Sequence, residues 1–322
     1  MLRTHSNARR DPRLRLLALA ALGWMVAALP AWATTVDLGD AADYGILTGQ
    51  KESVTFAGNL ALAGDLGLGS NATLKFTGSH NVISGSVYKD SGVSTSGSAS
   101  ITGGTVTQSM SSAINDAVTA ANTATALAAT PGLVDQGGSI GISKSSQSIV
   151  IKAVQNASEN VLTISSLSLT NGSITFDSNG YTDAKFIINV TGGFTVGNAG
   201  VIKGINGVDA SDIIFNIEDT GSTVNLTGNA STSIIGTILA PQRNVSLGGG
   251  GSLTGALIAG VKNSGSSYTL SGNSSGYNIT GFAYKPPVGG GGGGHVPEPS
   301  SLLLYGSGIA ALLWLGRRRL RA

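Results

Sequence analysis

Between residues 36 and 284 the chain consists mostly of short runs rich in Val, Ile, Thr and Phe, punctuated by Gly, Asn and Ser. Such runs suit strands and such punctuation suits turns. Ser173-Ile174-Thr175-Phe176 and Thr223-Val224-Asn225-Leu226 alternate small polar with apolar residues, the period of a strand with one buried face. A loose repeat follows: residues 223–229 are echoed by 244–250 and by 268–273, which spaces Leu226, Leu247 and Leu270 by 21 and 23 residues. A second series runs in step, with Ile214 and Ile235 21 apart and residues 236–240 recurring 19 later as 255–259. Two strand series repeating every 19–23 residues predict successive turns of a β-solenoid, each stacking its apolar residues on the next. A β-sandwich, which also gives short strands with turns, is the alternative.

Residues 108–130 depart from this pattern. They contain no Gly or Pro, and Met110, Ile114, Ala117, Val118, Ala121 and Ala124 recur at helical spacing. Thr107, Ser109 or Ser111 is placed to cap such a helix, and Pro131-Gly132 to end it. Its stripe is mostly alanine, so the helix is expected to lie close against a flat β-face as a packing element. The expected fold class is therefore mainly β: a β-solenoid with one long helix packed alongside at about residues 108–130, plus a C-terminal membrane helix.

The two ends read as addresses. Arg3, Arg9, Arg10, Arg13 and Arg15 precede an apolar run over 16–29, and Ala31-Trp32-Ala33 supplies the small residues of a signal-peptidase site. Residues 1–33 are thus an expected signal peptide, with the mature chain starting at Thr34. At the other end, Pro286-Pro287 and the glycine run 289–294 form an expected tether over 286–295. Val296-Pro297-Glu298-Pro299 then leads into an apolar stretch of about 16 residues, just short of an ordinary spanning helix. Arg317, Arg318, Arg319 and Arg321 follow as a stop-transfer cluster that stays cytoplasmic. This leaves residues 34–285 as one β-domain, with 296–322 as a separate sorting segment.

Locating the charges changes the composition. The whole chain is formally +2, but residues 34–295 carry ten Lys and Arg, scattered singly, against fifteen Asp and Glu. A mildly acidic domain without basic clusters is a poor partner for nucleic acid. With no Cys there are no disulfides and no His/Cys metal site, and no metal or cofactor is expected. His80 is the one His between signal peptide and tether, and no Gly-x-Ser-x-Gly elbow accompanies it, so it reads as a loop residue. Glu218-Asp219 are the only adjacent acids and read as a solvated turn. Asp177-Ser178-Asn179-Gly180-Tyr181-Thr182-Asp183 offers alternate oxygen ligands, but Ile188 stands where a calcium loop needs Glu. No enzyme is expected. What remains is surface binding, and Thr223, Ser246 and Thr269 of the three repeat copies form the candidate row of outward hydroxyls.

The C-terminal segment resembles the PEP-CTERM sorting signal of Gram-negative bacteria: the Val296-Pro297-Glu298-Pro299 motif, a short apolar helix and an arginine-rich end. That resemblance implies recognition by an exosortase, removal of the tail, and release or attachment at the cell surface, in bacteria that make exopolysaccharide. The body resembles the β-solenoid ice-binding family with a lateral helix. Residues 38–47 resemble its opening strand, 64–67 its first turn, Asn115-Asp116-Ala117 with Ala120-Ala121 its helix, 186–190 a core strand, and 236–240 and 255–259 its last two coils. Leu239-Ala240-Pro241-Gln242 is similar to the related choice-of-anchor A domain. Ile213-Ile214-Phe215-Asn216-Ile217 stands where the ice-binding family tends to carry a Trp-type strand. The resemblances imply a secreted structural or adhesive component of biofilm or exopolysaccharide or, alternatively, a protein that contacts an ice surface. A tag fused after Ala322 is expected to be missing from mature surface protein on immunoblots; its retention would refute exosortase cleavage.

Overall fold

Apolar–polar–apolar triplets such as Val54-Thr55-Phe56 and Val245-Ser246-Leu247 can bury one face only, and the chain satisfies them by stacking. The computed structural model describes residues 35–287, apart from 134–136, 155–158, 219, 263–266, 272–275 and 282. The expected signal peptide, the glycine run and the sorting segment with its membrane helix lie outside the described residues. Among the described residues no helix is long and apolar enough to cross a membrane. The strands form three nine-stranded sheets with parallel pairing, and the chain visits the three in turn as it coils. Phe176, Phe186, Phe194 and Phe215 meet in the interior, with ring centroids 5.1–6.0 Å apart.

The coils are not stacked in chain order. Tyr44–Thr48 starts in the middle of the first sheet, and Asp65–Leu68, Val87–Lys89 and Thr105–Thr107 extend it to one end. A helix, α1 (Ser111–Ala126), then carries the chain back to the opposite end, where Glu159–Ile164 begins the second half. Lys185–Val190, Ile213–Ile217, Thr237–Ala240 and Leu257–Ala259 return towards the start, and Leu257 comes to rest beside Ile46.

From Tyr44–Thr48 to Lys185–Val190 the first sheet is buried on both faces, which explains the unbroken apolar strands there. Phe186, Ile188 and Phe215 point into the solenoid; Ile187, Ile214, Leu239 and Ile258 point out against Ala113, Ala117, Ala120, Ala121 and Ala124 of α1. The helix is shorter than its 108–130 pattern. Its N-cap, Met110, makes no side-chain cap; its N–H instead donates to Asp90 Oδ2 at 3.1 Å. Asn189 and Asn216, neighbours in adjacent strands, supply the polar dock. Asn189 Nδ2 donates to Ala124 O at 2.7 Å, and Asn216 Nδ2 donates to Thr125 Oγ1 at 3.0 Å and to Asn189 Oδ1 at 2.8 Å. These bonds engage groups in the last turn, where helical carbonyls lack internal partners.

Both ends of the described chain lie on this same face. Val36 N–H donates to Glu159 Oε1 at 2.8 Å, and Tyr284 Oη donates to the same oxygen at 3.0 Å. Tyr284 N–H reaches Thr237 Oγ1, and Lys285 N–H reaches Ser211 O. The leucine repeat is in register, Leu226 beside Leu247 beside Leu270, and so are 236–240 and 255–259 in their shared strands. The pairing of Ile214 with Ile235 is corrected: Ile214 lies beside Thr237, and Ile235 belongs to the third sheet. Corners of unequal length make the 21-residue spacing coincide with the repeat without aligning those residues. Residues 65–67 of the expected first turn are part of a strand.

Two outcomes follow. Ala117 is fully buried on the sheet-facing side of α1, so Ala117→Leu should overpack the helix against the sheet and cost about 1–3 kcal/mol by denaturant unfolding. Glu159 has its pKa raised by burial, a shift partly offset by the Val36 N–H and Tyr284 O–H. The folded state holds that proton more tightly than the unfolded chain. The associated stability is full below the usual Glu value of about 4.3 and is lost as pH rises through the raised value. Glu159→Gln keeps the acceptor and removes the titration, so its melting temperature should vary less across that window than the parent's.

Candidate functional site: a flat hydroxyl face

The second sheet has one face in the core and one in water. Inward go Ile140, Leu167, Leu169, Phe194, Val196, Val224, Leu226, Val245, Leu247, Val54, Phe56, Leu74 and Phe76. The residue between two such apolar neighbours must point out, because side chains alternate along a strand. In-register pairing lines up one central row of positions: Gly141, Ser168, Thr195, Asn225, Ser246, Thr55, Lys75 and Ser96, with Thr269 at the register position between Ser246 and Thr55. Strands lie about 4.8 Å apart, so nine rungs span roughly 38 Å.

Flanking rows carry the same chemistry. On one side Ser139 pairs with Ser166, and Ser267, Ser53, Thr73 and Ser94 line up. On the other, Gly197, Thr227 and Gly248 are neighbours, as are Ser271, Ala57 and Thr77. Ser94 Oγ donates to Thr73 Oγ1 at 3.2 Å, so part of the hydroxyl net is ordered by its own bonds. Lys75 is the only charged side chain among these positions. Glycine keeps the coils close at the corners: a Cβ on Gly249, whose φ is +75°, would sit 2.0 Å from Gly228 O of the preceding coil.

The other two faces differ. The first sheet is covered by α1 and the two chain ends. The third presents Val150, Ile205 and Val82 at 37–41% exposure, with Lys152 and Lys203 two residues from Val150 and Ile205 in the same strands. The second sheet is therefore the flat face with neither a cover nor mixed charge.

Of the expected row, Ser246 and Thr269 are direct neighbours. Thr223 is not with them: Asn225 takes the position beside Ser246, and Thr223 precedes the strand by one residue. The repeat itself shows why, since Ser246 and Thr269 each stand immediately before a leucine of the register and so does Asn225. Sequence reasoning also missed Ser168, Thr195, Thr55, Lys75 and Ser96, although the triplets Val54-Thr55-Phe56 and Leu74-Lys75-Phe76 carry the same signal.

Neither His80 nor the loop of Asp177, both singled out in the sequence, builds a site. His80 is exposed in a left-handed turn, φ +70°. Asp177 Oδ1 accepts from Asn206 Nδ2 at 2.7 Å and Asn179 N–H at 2.8 Å, bonds that hold its carboxyl below the usual range. Its oxygen is thus spent on closing a turn. Among the described residues no three His, Asp or Glu side chains converge as metal ligands. The sorting motif Val296–Pro299, the arginines 317–319 and 321, and the alanines 31 and 33 of the cleavage site lie outside the described residues.

Comparison with known proteins adds the family context. The profile of an ice-binding-like adhesive domain matches residues 32–280, and that of the PEP-CTERM protein-sorting motif matches 295–319. No curated protein matches the chain. Among solved structures, an ice-binding protein from an Antarctic biological consortium is similar with a TM-score of 0.50 at 21% identity, covering 77% of this chain and 92% of that one. Ice-binding proteins from the Antarctic ascomycete Antarctomyces psychrotrophicus and from Shewanella frigidimarina give TM-scores of 0.48 and 0.47, both at 17% identity. They cover 77% and 78% of this chain and 98% of each of theirs. At these identities the likeness concerns the fold.

Proposed function

We propose an ice-contacting adhesive role for this chain, which belongs to the ice-binding-like adhesive domain family. Its PEP-CTERM motif implies an extracellular protein processed by an exosortase, and an adhesive-domain family points away from catalysis. The carrying observation is the nine-rung row on the second sheet. Two oxygens bonded to one shared water at about 2.8 Å and the tetrahedral angle lie roughly 4.6 Å apart. In-register rungs lie about 4.8 Å apart. Hydroxyls on neighbouring coils can therefore share bridging waters along the stack, and an ordered water layer can continue into a lattice. Rigidity, flatness and near-absence of charge favour this, since an exposed ion would impose its own hydration shell.

A second reading, a structural component of biofilm or exopolysaccharide, draws on the sorting motif and on the same hydroxyls, which can bond sugar hydroxyls. Among the described residues the face carries no aromatic side chain on its outward positions, which is why ice is placed first. In either case signal peptidase would cut after Ala33, and exosortase would act at Val296-Pro297-Glu298-Pro299 while Arg317, Arg318, Arg319 and Arg321 hold the tail in the membrane. Nucleic acid, metal and cofactor have no part in the proposal.

An ice-recrystallisation assay tests it. The parent should inhibit at micromolar concentration. Thr55→Tyr, which raises a bulky side chain in mid-row, should lose most of that inhibition, and Asn278→Tyr on the third sheet should retain it. No inhibition by the parent, with loss of floc or biofilm on gene deletion, would replace this reading with the matrix one.

A further inference from the structure

Beneath the two chain ends, three consecutive coils bring three buried ionisable side chains to the same edge of the first sheet. Glu159 is the register partner of Lys185, and Lys185 Nζ contacts Asp212 Oδ1 from the next coil. Their residues are 8%, 5% and 7% exposed. Asp212 Oδ2 accepts from Asp209 N–H at 2.7 Å, which fixes the carboxyl against the amine. Glu159 is held by Val36 N–H and Tyr284 Oη, so both chain ends close over the group and keep water out.

A buried ion pair must be desolvated, and its attraction often fails to repay that cost. A carboxyl–amine–carboxyl ladder adds a second buried acid. Condensing the central pair to an amide would abolish two buried charges and leave a neutral group. The amine and the carboxyl group are already held together, Nζ against Oδ1, and such proximity raises effective concentration.

We propose that Lys185 and Asp212 form an intramolecular isopeptide bond, with Glu159 as the proton shuttle. Within the pair the Lys185 ammonium passes a proton to the Asp212 carboxylate, the amine so formed attacks Asp212 Cγ, and a C–N bond forms. The C–OH bond of the protonated carboxyl breaks, and one water leaves with that oxygen, one proton from the amine and one from the acid. The Glu159 carboxyl gives its proton to the departing oxygen and recovers one from the attacking nitrogen, ending unchanged. No oxidant or reductant is required. Burial raises the Glu159 pKa, which favours the protonated form the step begins from. The product ties the coil of Lys185–Val190 covalently to that of Ile213–Ile217, in a chain without cysteine. This inference stands independently of what the hydroxyl face contacts.

The test is peptide mapping of the folded full chain, or of mature protein from the cell envelope, after denaturation and trypsin. The expected product is one branched peptide joining the segments around Lys185 and Asp212, lighter than their sum by one water and uncut after Lys185. Lys185→Arg should lose it while still folding, as judged by circular dichroism. Glu159→Gln should slow its appearance after refolding, and an unchanged rate would remove Glu159 from the reaction. Separate linear peptides with unmodified Lys185 and Asp212 from the folded parent would overturn the proposal. So would loss of water confined to a linear Asp212 peptide, the mark of a cyclic imide.

Discussion

Parallel, in-register pairing between coils is the constraint from which the rest of the molecule follows. Each coil satisfies its backbone groups on its neighbours above and below. A residue on any face then recurs about 4.8 Å along the stack, whatever its identity. The core becomes a column of stacked Phe, Ile and Leu, and the outer faces become rows whose chemistry is set one rung at a time. A slip of one residue in any coil would turn its apolar set outward, so the hydrophobic pattern enforces the very alignment that makes a regular surface.

The same constraint explains why only one of the three faces is both uncovered and nearly free of charge. A parallel sheet of Val, Ile and Leu on both sides needs a cover, and the alanine stripe of α1 supplies one with little bulk. The asparagines at 189 and 216 interrupt otherwise apolar strands because the helix they dock brings carbonyls to that depth. Polar residues inside a dry layer are tolerated where they are bonded. With the first sheet covered and the third mixed in character, the second keeps small hydroxyls exposed across its width.

Much of this was legible in the chain. The apolar–polar–apolar triplets, the leucine spacing at 226, 247 and 270, and the alanine periodicity of the helix all reflect local geometry, and local geometry leaves a local signature. What escaped was long-range. Nothing near Thr55 says that its neighbour in the row is Thr269, because that adjacency is made by a helix that reorders the stack. Thr223 was misplaced for a smaller reason: corners vary in length, so register has to be counted from the buried leucine and not from the start of a similar-looking segment. The third strand series was hidden for a related reason, since its members, such as Gly251–Thr254 and Tyr277–Thr280, are short and differ in composition.

Because Tyr44–Thr48 rests against Leu257–Ala259, the oldest and youngest parts of the folded chain meet at a seam in the middle of the stack. The four coils made first offer an open edge that only the last-emerging coil can close. A polypeptide crossing a membrane N-terminus first would therefore present unpaired strand backbone until nearly all of it had been delivered, an exposure of the kind that invites misassembly. Contacts of such long sequence separation also slow folding. The stack is thus complete only once residues up to about 280 are in place.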